Sequence, residues 1–223
     1  MSEVKTNKIS PSSGTTLTLG NSGDTVTGAG GIASVQVFTT LGSQTWTRPS
    51  GVIRVMVEVQ GAGGAGCKAQ SNTTKGMGGG AGGYAKKLLD VSSIASSTIV
   101  VGAGGAAQAT NDTAGAAGGD SSWADGTNTI TGSGGPGGTF TPYSTIGGGT
   151  ATGGDINMQG GYGWSGGADG KAGDSFYGSG GYMKWTGQNT TNSASGYGSG
   201  GAGSYQITSG AGRPGIVIVT EYK

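Results

Sequence analysis

Glycine, and the way it is blocked out along the chain, constrains the fold more than any other feature. It supplies 54 of 223 residues, more than three times the usual share of about 7%. Glycine loses more backbone entropy on folding than any other residue. A chain that orders this much of it must gain a contact that only a bare Cα allows, and close packing of backbone on backbone is that contact. Hydrophobic residues make up only 32% and charged residues 10%, with a formal net charge of +1. Disordered chains combine low hydrophobicity with charge repulsion, and here the repulsion is missing. Collagen would need glycine at every third position without a break, and abundant proline. Five prolines and irregular glycine spacing exclude it. Polyglycine can still take the extended helix with three residues per turn, and several such helices can bond side by side.

Between the glycine blocks lie six strand signals. VQVFTTL (35–41) is β-branched and aromatic, and QTWTRPSG reads as a strand ending in a turn at Pro49-Ser50-Gly51. VIRVMVEVQ alternates Val52, Arg54, Met56 and Glu58 on one face with Ile53, Val55, Val57 and Val59 on the other, the period of a half-buried strand. GYAKKLLDV (83–91), STIVVG (97–102) and GIVIVTEY (215–222) complete the set. The expected fold is all-β: a small antiparallel β-sandwich, with framework at about 35–102 and 215–222, and an inserted glycine-rich region at about 103–214 packed as polyglycine II helices. Two strands run into GAGGAG (61–66) and GAGGAA (102–107), so both should leave the sandwich at one end. Residues 31–223 form one glycine-rich domain. Residues 1–30 read as a connector or oligomerisation segment, with Leu17, Leu19 and Val26 on a short hairpin too small to stand alone. An echo, AGGDSSW (117–123) and AGDSFY (172–177), suggests local Asx turns at Asp120 and Asp174, with Trp123 and Phe176 over the glycine layer.

Several chemistries are expected to be absent. GAGGAG fits the dinucleotide pattern G-x-G-x-x-G, but that site needs a helix to begin there and an acidic residue about 20 positions on. CKAQSNTTKGMGGG has no helical period, and the next acidic residue is Asp90. The P-loop pattern fails at Cys67 and at Ala69 after Lys68. The chain has no histidine, hence neither the commonest general base nor the commonest zinc ligand. Asp155, Asp169 and Asp174 show no spacing that would pair them as glycosidase carboxylates or as calcium ligands. The expectation is a non-enzymatic protein without metal or cofactor. No basic stripe points to nucleic acid, and no stretch approaches the about 18 apolar residues of a membrane span. MSEVKTNKIS lacks the apolar core of a secretory signal, and the single Cys67 excludes an intrachain disulfide framework, so synthesis in a cytoplasm is expected.

The aromatic residues remain. Tyr143, Tyr162, Trp164, Phe176, Tyr177, Tyr182, Trp185, Tyr197 and Tyr205 are spread through a side-chain-poor region. Tyr162, Phe176 and Tyr205 are expected to fill gaps between layers. GYMKWTGQNTTNSASGYG (181–198) concentrates bulky and polar side chains between glycine tracts and reads as a projecting loop. Tyr182, Lys184, Trp185, Gln188, Asn189, Asn192 and Tyr197, with Trp164 and Tyr177, are the candidates for binding a partner surface.

WTRPSGVIRVMVEVQGAGGAG, GGGAGGYAKKLL, STIVVGAGG, the glycine blocks and the closing GRPGIVIVTEY together resemble the glycine-rich domain of bacteriophage tail-fibre and tail-tip proteins, over about residues 44–223. KISPSSGTTLTLGNSGDTV is similar to segments of phage fibres, which are usually trimeric. The resemblance implies a layered sandwich of polyglycine helices whose distal loops contact a host glycan or outer-membrane protein. It also implies a homotrimer that docks on other tail or fibre proteins in the virion. This chain lacks the long shaft of a typical fibre. The alternatives are a structural virion component without a receptor and an ice-binding polyglycine-helix protein.

Overall fold

A computed structural model describes residues 31–70, 76–140, 144–166, 169–183, 191–192, 194–205 and 207–223. Leu17, Leu19 and Val26 lie outside them. The described residues are all-β, with no helix. With strands numbered in chain order, one sheet runs β1 (Ile32–Phe38), β17 (Ile216–Tyr222), β3 (Arg54–Gln60), β5 (Tyr84–Asp90), β11 (Ile156–Met158). A second runs β10 (Ala151–Thr152), β8 (Thr129–Gly132), β7 (Ser121–Ala124), β6 (Ser96–Val101), β2 (Gly42–Thr47). Both are antiparallel throughout. Their inner faces supply the core. Val55, Val57, Val59, Ala85, Leu89, Val217 and Val219 come from the first sheet, and Trp46, Ile99, Val101, Trp123 and Ile130 from the second. The rings of Trp46 and Trp123 meet at 5.1 Å with a 50° tilt.

The alternation read in VIRVMVEVQ holds from residue 54 onward and slips before it. Val52 is buried and Ile53 is 47% exposed. The strand begins only at Arg54, so residues 52 and 53 belong to the turn and do not share its pleat. Strands also form within 103–214, where composition predicts glycine helices alone. β7 (SSWA) and β8 (TITG) carry the core residues Trp123 and Ile130. Conversely, glycine tracts 61–67 and 76–83 interrupt the expected framework. Strand and tract alternate along the described residues.

The tracts have a regular order of their own. In tract 61–67, Gly61, Gly64 and Cys67 donate backbone N–H bonds to Gly83, Gly80 and Met77 at 2.8, 2.9 and 3.0 Å. Ala62, Ala65 and Lys68 donate to Gly119, Ala116 and Thr113, and Gly63 and Gly66 donate to Arg213 and Gly210. The carbonyls of Ala62 and Ala65 accept from Gly135 and Gly138, those of Gly64 and Cys67 from Gly201 and Ser204, and that of Gly63 from Gly105. Every third residue therefore faces the same neighbour, the three-per-turn repeat of polyglycine II. Tract 61–67 is bonded on six sides: its donors reach antiparallel neighbours and its acceptors serve parallel ones. Tract 77–83 is a second hub, donating to Thr139, Pro136 and Ser133, to Gly201 and Gly198, and to Gly161, while accepting from 61–67, Gly149 and Gly173.

The chain path places this bundle on one end of the sandwich. β3, β6, β8 and β11 run outward into tracts, and tracts return into β5, β7, β10 and β17. Two further turns, 174–178 and 194–198, come back only to the junction. From Gly83 beside β5 to Met77 the chain climbs two turns, about 19 Å at about 3.1 Å per residue. At that far level sit a third antiparallel sheet, β15 (Thr191–Asn192), β14 (Tyr182–Met183), β13 (Asp169–Lys171), β12 (Gly163–Gly166), β9 (Ser144–Ile146), and the parallel pair β16 (Ser204–Tyr205) with β4 (Lys68–Ala69). The position a Gly163 Cβ would take lies 2.1 Å from the Gly78 carbonyl, which fixes β12 at this end.

The two Gly-Asp-Ser-aromatic echoes go to different places. Trp123 is fully buried in the sandwich, whereas Phe176 is 54% exposed at the junction. Neither aspartate closes a local Asx turn. Asp120 accepts from Gly134 N–H and Asp174 from Gly180 N–H, both 2.8 Å. They pin neighbouring tracts instead.

Candidate functional site

The third sheet gathers residues that are far apart in the sequence. Its register sets Thr145, Trp164, Lys171, Tyr182 and Asn192 directly opposite one another across five strands. Directly opposed residues of antiparallel strands share a face, so Trp164, Lys171 and Tyr182 form one row. Trp164 is 44% and Tyr182 38% exposed; Thr145 is exposed, and so is the Lys171 side chain. Adjacent strands lie about 4.8 Å apart, which sets the two aromatic positions about 10 Å from each other with Lys171 between them. The Lys171 ammonium also pairs with Asp174 at 2.6 Å. Burial works against the Asp174 charge, but the bonds from Lys171 and Gly180 hold its pKa below the ordinary carboxylate value.

Tyr177 and Tyr197 are placed at the other end of the bundle. The Tyr177 hydroxyl donates to Glu58 Oε2 at 2.8 Å and the Tyr84 hydroxyl to the same oxygen at 2.6 Å, with Lys86 Nζ 3.6 Å from Oε1. Burial raises the Glu58 pKa, yet the two hydroxyls and the lysine more than offset it, and the net shift is downward. Burial and the neighbouring carboxylate push both tyrosines up. Tyr197 is half-buried, and its carbonyl accepts from Ser175 Oγ at 2.6 Å. Tyr177 joins bundle to sandwich, whereas Tyr197 bonds within the bundle. Of the three rings expected to fill gaps, Tyr162 is 58% and Phe176 54% exposed, whereas Tyr205 is half-buried. Lys184, Trp185, Gln188 and Asn189 lie outside the described residues, between β14 and β15. Of Asn192 the structure gives the register position opposite Tyr182.

The remaining chemistry is sparse. Asp155 accepts from Leu88 N–H at 3.2 Å on the sandwich, distant in the topology from Asp174 at the junction. Among the described residues no group of three or more acidic, cysteine or histidine side chains could hold a metal ion. Cys67 is buried against Met77 N–H and the Thr139 carbonyl, and burial pushes its thiol up to about 11. No helix among the described residues is long and apolar enough to cross a membrane.

These features define a class: an all-β protein whose sandwich strands open into a bundle of polyglycine helices capped by a small sheet. The chain belongs to the glycine-rich domain family, which matches residues 38–222. No curated protein matches it.

Proposed function

We propose that this chain is a tail-fibre or tail-tip protein of a bacteriophage, non-enzymatic and without cofactor, that adsorbs the virion to a host surface glycan or outer-membrane protein. The observation that carries this reading is the Trp164–Lys171–Tyr182 row at the far end of the bundle. Exposed Trp and Tyr are the side chains that dominate binding hot spots, and a hydrogen-bonded scaffold holds them at low entropic cost. On this reading Lys184, Trp185, Gln188 and Asn189, which the sequence places between β14 and β15, take part in the same contact. Residues 1–30, with Leu17, Leu19 and Val26, assemble a homotrimer and dock it on other virion proteins. Purified protein should bind host cells, and the variant Trp164→Ala/Tyr182→Ala should bind at least tenfold more weakly, the cost of about 1.4 kcal/mol. Failure of the wild-type protein to bind any host cell would favour a structural virion component instead.

One observation favours the ice-binding alternative. Ala103, Ala106 and Ala109, and on the adjoining tract Ala114 and Ala117, recur every third residue on exposed positions. A thermal-hysteresis assay separates the two readings, and the adhesin reading predicts none.

A further inference from the structure

The junction between sandwich and bundle holds a hollow of about 340 Å³, whose lining residue Asp174 is tied to the distal sheet by its pair with Lys171. Gly82 and Gly160 line it with bare backbone, Tyr84 and Phe176 with aromatic rings, and Met158, Gln159 and Asp174 with exposed side chains. Phe176 is fixed there by two ring contacts. It stacks on Tyr84 at 4.1 Å and 15°, and meets Tyr177 edge-on at 5.1 Å and 86°. Tyr84 is only 3% exposed, so it is backed by the fold, whereas Phe176 stays 54% exposed. The result is a rigid aromatic face left open to solvent.

The charges around the hollow are already compensated. Asp174 is paired with Lys171, and Glu58 behind Tyr84 takes two tyrosine hydroxyls and Lys86. A charged ligand would find no counter-charge here. A carboxylate offers about four lone-pair sites. Lys171 occupies Oδ2 and Gly180 Oδ1, so Asp174 keeps acceptor capacity for hydroxyl donors, beside the amide of Gln159. An open apolar face next to neutralised acceptors suits a ring that is apolar on one side and hydroxylated at its edge. The volume lies at the lower end of the about 300–1,000 Å³ typical of ligand sites, the scale of one or two rings.

We propose that this junction hollow is a second, lateral binding site for a neutral hexopyranose, with the sugar ring on Phe176 and its hydroxyls on Asp174 and Gln159. It rests on the adhesin reading and extends it from one contact surface to two, with the ring stacked on Phe176 and not on the aromatics of the distal row. The test is saturation-transfer NMR on the full chain with glucose, galactose and N-acetylglucosamine at millimolar concentration. Phe176→Leu removes the ring face and keeps apolar volume; Met158→Arg fills the hollow from an exposed position; thermal melting checks the fold of each. Transfer to at least one sugar is expected in the wild type, reduced about tenfold in both variants and unchanged in Leu41→Ala, an exposed position outside both proposed sites. No transfer from wild-type protein to any of the three sugars overturns the proposal. So does transfer at the wild-type level in both Phe176→Leu and Met158→Arg, which would assign the sugar to the distal sheet.

Discussion

At the scale of single residues, the tract glycines are required for clearance and not for backbone conformation. Among the described residues the positive-φ glycines are Gly42, Gly51, Gly126, Gly153, Gly196 and Gly198, at turns and junctions, and no glycine of tracts 61–67 and 76–83 is among them. A Cβ on Gly66 would stand 1.9 Å from the Ala202 carbonyl oxygen, and one on Gly64 2.1 Å from that of Pro136. Two neighbouring positions give a controlled comparison. A Cβ on Gly148 would lie 2.0 Å from the Gly160 carbonyl, whereas on Gly147 the nearest atoms are side-chain atoms at 3.5 and 3.8 Å. Gly148→Ala should destabilise by about 1–3 kcal/mol, the range for overpacking, while Gly147→Ala should be neutral in denaturant melts. Glu221 makes a second test. It is fully buried on β17, and its carboxylate accepts from Ser34 Oγ, from Gln36 Nε2 at 2.7 Å and from Trp46 Nε1 at 2.7 Å. Glu221→Ala strands the buried Trp46 N–H and should cost on the order of 1–3 kcal/mol. Glu58 sets a pH dependence. Its folded pKa lies below the ordinary 4.5, so its contribution is full above that value and lost as pH falls through the lowered one. Melting temperature should drop on acidification through this window, and the drop should shrink in Tyr84→Phe/Tyr177→Phe.

At the scale of elements, sandwich and bundle form one hydrogen-bonded body. The amides of Gly61, Gly64 and Cys67 are as fully paired as those of the strand they continue. Hydrogen exchange should therefore protect residues 61–67 to the level of Val55, Val57 and Val59. Exchange at loop rates would show that the tracts are not packed helices. The long strands were legible because β3, β5, β6 and β17 carry six or seven residues of β-branched or alternating sequence. β7 and β8 were not, because SSWA and TITG have four residues each and offer too little periodicity to stand out in a glycine background. The three-residue order leaves a partial trace in the sequence: Ala62 and Ala65, Ser133, Pro136 and Thr139, and Ser199 and Ala202 each recur every third residue. The same spacing makes GAGGAG mimic a dinucleotide fingerprint, while its backbone stays extended and begins no helix. Trp164 and Tyr182 could be named from the sequence as exposed aromatics. Their common row could not, because strands of two to four residues rich in glycine carry no readable register.

At the scale of the molecule, the described residues form three layers along one axis: sandwich, glycine bundle and distal sheet. The sandwich supplies the apolar core that the bundle lacks, and the bundle holds the distal sheet about two polyglycine turns away. Tyr84, Phe176, Tyr177 and Glu58 lock the lower joint. On the proposed adhesin reading, substitutions on the distal row should leave the melt unchanged while altering attachment. The most direct test is the adsorption rate of virions carrying Trp164→Ala/Tyr182→Ala, with the purified variant shown to melt like the wild type. A fall of about tenfold or more in adsorption is expected, the loss of one hot-spot contact or more. Adsorption at the wild-type rate by well-folded variant virions would contradict the account.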